Sequence, residues 1–196
     1  MGNAQWLFFF IVVFVIIAIV SLIITRGKII RLVKWPAAGI SAAVLSLILT
    51  AFERFASRVS TPGGAVIAAD TWLWDYHGTH LKLIGNIPIE NVLIVYPASI
   101  ISAIIIFECF RFFWKGPSLA CMIAVTNLFL FVLLMIVEYL SCVYFRLYEL
   151  NFSRMLLPNI PFHGIAGEEI IYYIGCNLFS IASYAVLMPE PQRNEQ

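Results

Sequence analysis

Apolar and polar positions along this chain fall into long blocks, with no sustained two-residue alternation of the kind a half-buried strand would show. Apolar runs occupy residues 6–25, 36–52, 87–110, 117–140 and 167–188. Each approaches the roughly 20 helical residues needed to cross a hydrocarbon layer ~30 Å thick. An all-α fold is therefore predicted, a polytopic membrane bundle of about five transmembrane helices. Polar residues collect in two long loops, 53–86 and 141–166, together with Trp72, Trp74, Tyr76, Tyr144 and Tyr148. Aromatic residues of this kind suit the membrane–water interface. The tail Pro189–Gln196 is short, polar and punctuated by proline, so it is expected to fray.

Composition sharpens this picture. Of 196 residues, 62% are hydrophobic and only 12% charged, and the mean hydropathy is +0.94. These values exclude a soluble globular enzyme. Twelve Lys and Arg against eleven Asp and Glu leave a net charge of +1, too little for a phosphate-binding face, so nucleic acid is not an expected partner. No glycine-rich phosphate loop occurs. Cys109, Cys121 and Cys176 fall inside apolar runs and Cys142 ends one, without C-x-x-C spacing. Buried reduced thiols are the simplest reading.

The first run resembles a signal peptide only in its apolarity. No cation precedes it, and Arg26, Lys28, Arg31 and Lys34 follow it directly, so retention as an anchor is expected. These cations, with Arg111 and Lys115 between the third and fourth runs, put the first and third loops on the cytoplasmic side and the N-terminus outside. Arg54, Arg58, Lys82, Arg146 and Arg154 in the opposite loops make this bias a modest one.

Two halves of the chain share a grammar. In the first, an apolar helix closes at Ala51-Phe52-Glu53, an aromatic-rich loop follows, and Gly85-Asn86-Ile87-Pro88-Ile89-Glu90-Asn91 opens the next helix. In the second, a helix closes at Ile136-Val137-Glu138-Tyr139, and His163-Gly164-Ile165-Ala166-Gly167-Glu168-Glu169 opens the last one. The expected organisation is an N-terminal anchor with its basic loop (1–35), two repeats (36–115 and 116–188) and the polar tail (189–196). Because each repeat is an antiparallel hairpin, Glu53, Glu90, Glu138 and Glu168 are expected at one membrane face.

A plainer explanation is available for each acid. Pro88 and Glu90, or Gly167 and Glu168-Glu169, are also what helix initiation and the helix dipole select. Glu53 and Glu138, read as helix C-termini, are explained less well, because an anion there opposes the dipole. Duplication of the whole arrangement, and the cost of ionisable groups at membrane depth, favour function. Glu108 beside Arg111 reads instead as an i,i+3 surface pair. His77, His80 and His163 could in principle meet a carboxylate at zinc, but H-x-x-H in a loop is a weak pattern and interfacial hydrogen bonding is the simpler role.

The aromatics beside the acids narrow the chemistry. Trp72, Trp74 and Tyr76 precede Glu90, Tyr139 adjoins Glu138, and Tyr172-Tyr173 lie one turn after Glu168. Aromatic faces stabilise cations by about 2 kcal/mol or more when desolvated, so carboxylic acids walled by rings suit carbocation chemistry.

Residues 36–188 resemble the integral-membrane lycopene cyclase domain. The resemblance rests on Phe52-Glu53, Trp74-Asp75-Tyr76 and Pro88-Ile89-Glu90-Asn91 in the first repeat. In the second it rests on Glu138-Tyr139 and Gly167-Glu168-Glu169, followed by Tyr172, Tyr173 and Asn177. Two departures stand out: Asn91 occupies a position where the family often has a second acid, and Ala166-Gly167 replaces the proline in the second repeat.

The resemblance implies proton-initiated cyclisation of a long isoprenoid such as lycopene, drawn from the bilayer. A carboxylic acid protonates an alkene, a neighbouring double bond attacks the cation, and a base removes a proton. The change is an isomerisation and needs no cofactor. Glu90 or Glu168 is the expected donor, with Glu169, Glu53 and Glu138 tuning it or serving as base. Trp72, Trp74, Tyr76, Tyr139, Tyr172, Tyr173, Asn91 and Asn177 are the expected substrate contacts. A cyclase of prenylated small molecules is the nearest alternative, and a non-catalytic scaffold or transporter subunit the more distant one. The oligomeric state, homo-oligomer included, stays open.

Overall fold

In the computed structural model the described residues are 3–59, 74–75, 83–84, 87–89, 91–144, 149–150 and 167–188, with side chains at 11–51, 89, 91–140, 144 and 170–188. They form an all-α bundle. In chain order the helices are α1 (Asn3–Ile24), the single turn α2 (Ile29–Leu32), α3 (Trp35–Val59), α4 (Tyr96–Phe113), α5 (Leu119–Glu138) and α6 (Gly167–Leu187). A π-helical segment, Asn91–Val95, leads into α4, and a second, Tyr139–Tyr144, continues α5. Strands are limited to two-residue pairings: β1 (Trp74–Asp75) with β4 (Glu149–Leu150), and β2 (Leu83–Ile84) with β3 (Ile87–Pro88), both antiparallel.

Local chemistry explains the helix boundaries. At the end of α1 the Gly27 N–H donates to Leu22 O at 2.8 Å and the Arg26 N–H to Ile23 O at 3.1 Å. This is the Schellman pattern. Arg26 and Gly27 both have positive φ, 50° and 73°, a conformation that Gly27 adopts without penalty. The reversal turns the basic loop back onto the bundle. At the start of α5 the Ser118 hydroxyl accepts from the Cys121 N–H at 3.3 Å, an N-cap that follows Pro117. Pro97 has no N–H with which to continue the helical ladder, and the backbone widens to π geometry in the five residues before α4.

The fourth helix is the centre of the bundle. It packs against α1, α2, α3, α5 and α6, and every residue from Ser102 to Cys109 is buried. A helix apolar on all sides belongs inside other helices, and Ile104 and Phe107, both at 0% exposure, lie in the core with Ile181 and Tyr184 of α6. The most extensive pairings are α3 with α4 and α5 with α6.

Outward faces are apolar. Ile23, Leu47, Leu128, Phe179 and Val186 are all more than 60% exposed, an arrangement stable in lipid and costly in water. Among the described residues, Asn91–Phe113, Leu119–Glu138 and Ile170–Leu187 are long and apolar enough to cross a membrane, while Ile11–Ile24 and Trp35–Ala51 are shorter apolar stretches. The chain is thus compatible with a membrane protein.

Three local expectations are corrected. Glu53 does not close its helix, because α3 runs on to Val59; residues 54–59 contain no glycine or proline, and the first breaker is Pro62. Glu138 is not at a free C-terminus either, since the helical path continues through the π segment to Tyr144. The thiol of Cys121 is exposed, although that of Cys109 is buried as expected.

Candidate functional site

Glu138 is the acid that the structure places most clearly. It is 1% exposed and lies at the junction of α5 with its π continuation. Tyr173, on the first half of α6, donates its hydroxyl to Glu138 Oε2 at 2.5 Å. The contact is a short O–H···O hydrogen bond that the carboxyl oxygen accepts. The neighbouring rings of Tyr172 and Tyr173 are 5.9 Å apart and tilted by 59°, both partly buried. Glu138 and Tyr173 thus meet between α5 and α6, at a π-helical discontinuity, a feature that often marks functional sites.

Asn91, 2% exposed, opens the π segment ahead of α4. Asn177, 7% exposed, stands one turn beyond Tyr173 on α6 and shares its face by i,i+4 spacing. Tyr139 departs from the expected role: its side chain is 46% exposed, because the residue after a fully inward Glu138 is carried round to the outer surface by the helical turn.

Other expected residues are placed by backbone alone. Glu53 lies within α3, Glu168 and Glu169 in the first turn of α6, and Trp74 in β1. Glu90, Trp72, Tyr76, His77, His80 and His163 lie outside the described residues. The β1–β4 pairing joins the two long loops and sets Asp75 opposite Glu149 in register, a link that hydropathy gives no means of anticipating. No group of three or more His, Cys, Asp or Glu able to hold a metal ion occurs among the described residues.

A second polar node lies toward the opposite end of the bundle. Glu108 is 2% exposed, and its Oε1 accepts from Arg111 Nη1 at 2.8 Å and from the Tyr184 hydroxyl at 2.7 Å. The same hydroxyl accepts the Lys34 N–H at 3.0 Å. Arg111 also points a donor at Met188 Sδ, 3.2 Å away, and its guanidinium stands 5.8 Å from the Phe107 ring centre. The i,i+3 pair expected from sequence is therefore present but is not a surface pair. Tyr184 and Phe107 cover it, and the node ties the basic loop, α4 and α6 together.

Between the nodes lies a set of polar residues that the sequence reading passed over. Ser41, Thr126 and Asn127 interrupt apolar runs near their middles, as Asn177 does. A polar residue at the centre of a membrane-length run was the available signal. No family model, curated protein or solved structure matches the chain.

Proposed function

We propose that this chain is a multi-pass membrane cyclase that closes rings in an isoprenoid by proton transfer from buried carboxylic acids. The N-terminus is assigned to the non-cytoplasmic side, as the basic loop after α1 favours. The observation that carries the reading is Glu138, a carboxyl group buried in an apolar bundle with the Tyr173 hydroxyl on its Oε2; the Tyr172 ring neighbours that of Tyr173.

The chemistry balances without an external reagent. One carboxylic acid, Glu90 or Glu168, gives its proton to a terminal alkene carbon of a carotenoid such as lycopene or of a prenylated small molecule. The alkene's π electrons form the new C–H bond and leave a tertiary cation. A second double bond attacks that cation, forming the ring C–C bond and moving the charge along the chain. A carboxylate then takes a proton from the adjacent carbon, whose electrons become the product double bond. Glu138, which accepts a hydrogen bond in the structure, is assigned to this accepting side, with Glu53 and Glu169 sharing the proton balance. Aromatic rings stabilise the cation, and an apolar surround withholds the water that would trap it as an alcohol.

The test supplies lycopene and, separately, geranylgeraniol to the purified chain in lipid vesicles and follows both by chromatography and mass spectrometry. The expected product is an isomer of unchanged mass. Recovery of both compounds unaltered, with the protein folded, would overturn the reading.

A further inference from the structure

We infer that the middle of the bundle holds a binding site for an uncharged hydroxyl-bearing group, formed by Ser41, Thr126, Asn127 and Asn177. As a statement about substrate class it rests on the cyclase reading and narrows it, from a bare hydrocarbon to an isoprenoid that carries a hydroxyl.

The starting observation is a shortage of partners. Ser41 Oγ, Thr126 Oγ1, Asn127 Oδ1 and Asn177 Nδ2 are buried without a hydrogen-bond partner, and Ser41, Thr126 and Asn177 are 1%, 0% and 7% exposed as residues. Buried hydroxyls in helices usually escape this condition by donating back to the carbonyl one turn earlier. This chain uses that solution repeatedly: Thr25 bonds Ser21 O, Ser46 bonds Ala42 O, Thr50 bonds Ser46 O and Ser180 bonds Cys176 O, all at 2.6–2.7 Å. Ser41 and Thr126 do not. Their hydroxyls remain available to something else.

Helical spacing puts the four residues at about one level around α6, which packs against both α3 and α5. The Lys34–Tyr184 hydrogen bond anchors the start of α3 against the end of α6. Two helical turns along α3 from Lys34 is Ser41, and two turns back along α6 from Tyr184 is Asn177, each displaced by about 10 Å from the anchor. On α5, Asn127 Nδ2 donates to Ile174 O at 3.4 Å, which sets Asn127 and its neighbour Thr126 within a turn of Asn177. That bond also fixes the amide orientation of Asn127, so the atom left over is the acceptor.

The inventory defines the ligand. Two hydroxyls that both donate and accept, one amide oxygen and one amide NH2 match a neutral O–H group. No Asp, Glu, Lys or Arg occurs in residues 35–52, 91–107, 119–137 or 170–187, so these stretches of the described helices supply no charge to balance an ion. A pure hydrocarbon would leave all four atoms unsatisfied in apolar surroundings, which is costly. Asn177 lies one turn from Tyr173, the residue that bonds Glu138. A ligand hydroxyl held at this level therefore places an attached isoprenoid chain beside the buried carboxyl.

Geranylgeraniol and the matching hydrocarbon without the hydroxyl are the probes, titrated against the full chain in lipid nanodiscs with thermal stability and intrinsic tryptophan fluorescence as readouts. The alcohol is expected to bind and raise the unfolding temperature more than the hydrocarbon. In a Thr126→Val, Asn177→Leu variant its apparent Kd is expected to rise about tenfold or more while hydrocarbon binding is unchanged. If that variant fails to fold, Ser41→Ala and Thr126→Val singly are each expected to weaken binding of the alcohol alone. Equal binding of the two probes by the unaltered chain, as when the cluster holds water only, would overturn the inference. Discrimination that survives these substitutions would do the same. Glu138→Gln is expected to keep the discrimination. A chain that discriminates but converts neither geranylgeraniol nor lycopene would sink the cyclase reading alone.

Discussion

Tyr184 and Glu108, separated by 76 positions in sequence, meet at 2.7 Å between α6 and α4. Because the tyrosine hydroxyl also receives the Lys34 N–H, one oxygen couples three parts of the bundle. Removing it in Tyr184→Phe leaves the carboxyl group to Arg111 alone and strands a backbone donor. The expected cost is about 1–3 kcal/mol, read as a lower unfolding temperature in detergent. An unchanged transition would show that the node contributes nothing to stability.

Core packing should separate sharply from the outer surface. Phe107, fully buried and in edge contact with Tyr184 at 6.3 Å between ring centres, is expected to cost about 3–5 kcal/mol on truncation to alanine, since the bundle cannot collapse into the space left. Val186 is 84% exposed, and Val186→Ala should change stability by no more than about 0.5 kcal/mol. Comparable losses at both positions would contradict the packing described.

Loss of the α5 cap should be modest. Ser118→Ala removes the acceptor for the Cys121 N–H, with an expected cost of about 1 kcal/mol. Ser118→Asp should restore most of it. A loss that aspartate fails to rescue would assign Ser118 some other role.

Thiol chemistry tests both burial and sidedness. A chain retaining only Cys121, which is exposed, should react with a membrane-impermeant maleimide from the side that carries Arg26, Lys28, Arg31 and Lys34. A chain retaining only Cys109, which is buried, should resist labelling until unfolded. Labelling of Cys121 from the opposite side would break the shared sidedness of the first and third loops.

The long apolar runs made the helices legible, because burial in a bundle or in lipid imposes a one-dimensional pattern that reads directly along the chain. What depends on distant partners was not legible. Glu108 and Arg111 display their i,i+3 spacing in the sequence, yet nothing near them announces that Tyr184 will cover the pair. Likewise the spacing of Glu138 and Tyr139 does not say which of them turns inward; the helical path decides that Glu138 is buried and Tyr139 is exposed. The loop acids Asp75 and Glu149 come into register only through a strand pairing two residues long, too short to leave a periodicity. The polar layer of Ser41, Thr126, Asn127 and Asn177 was visible residue by residue, but its meaning required knowing that their polar atoms lack partners.

The most direct measurement compares the unaltered chain with Glu138→Gln and Tyr173→Phe in vesicles supplied with lycopene or geranylgeraniol, scoring cyclised isomer against folded protein. Glu138→Gln keeps the shape and the Tyr173 hydrogen bond but cannot accept the proton, so product should fall at least about 100-fold with the unfolding temperature little changed. Tyr173→Phe should lose less. Full turnover by a folded Glu138→Gln chain would contradict an essential role for this buried carboxyl, and with it the observation on which the proposed chemistry stands.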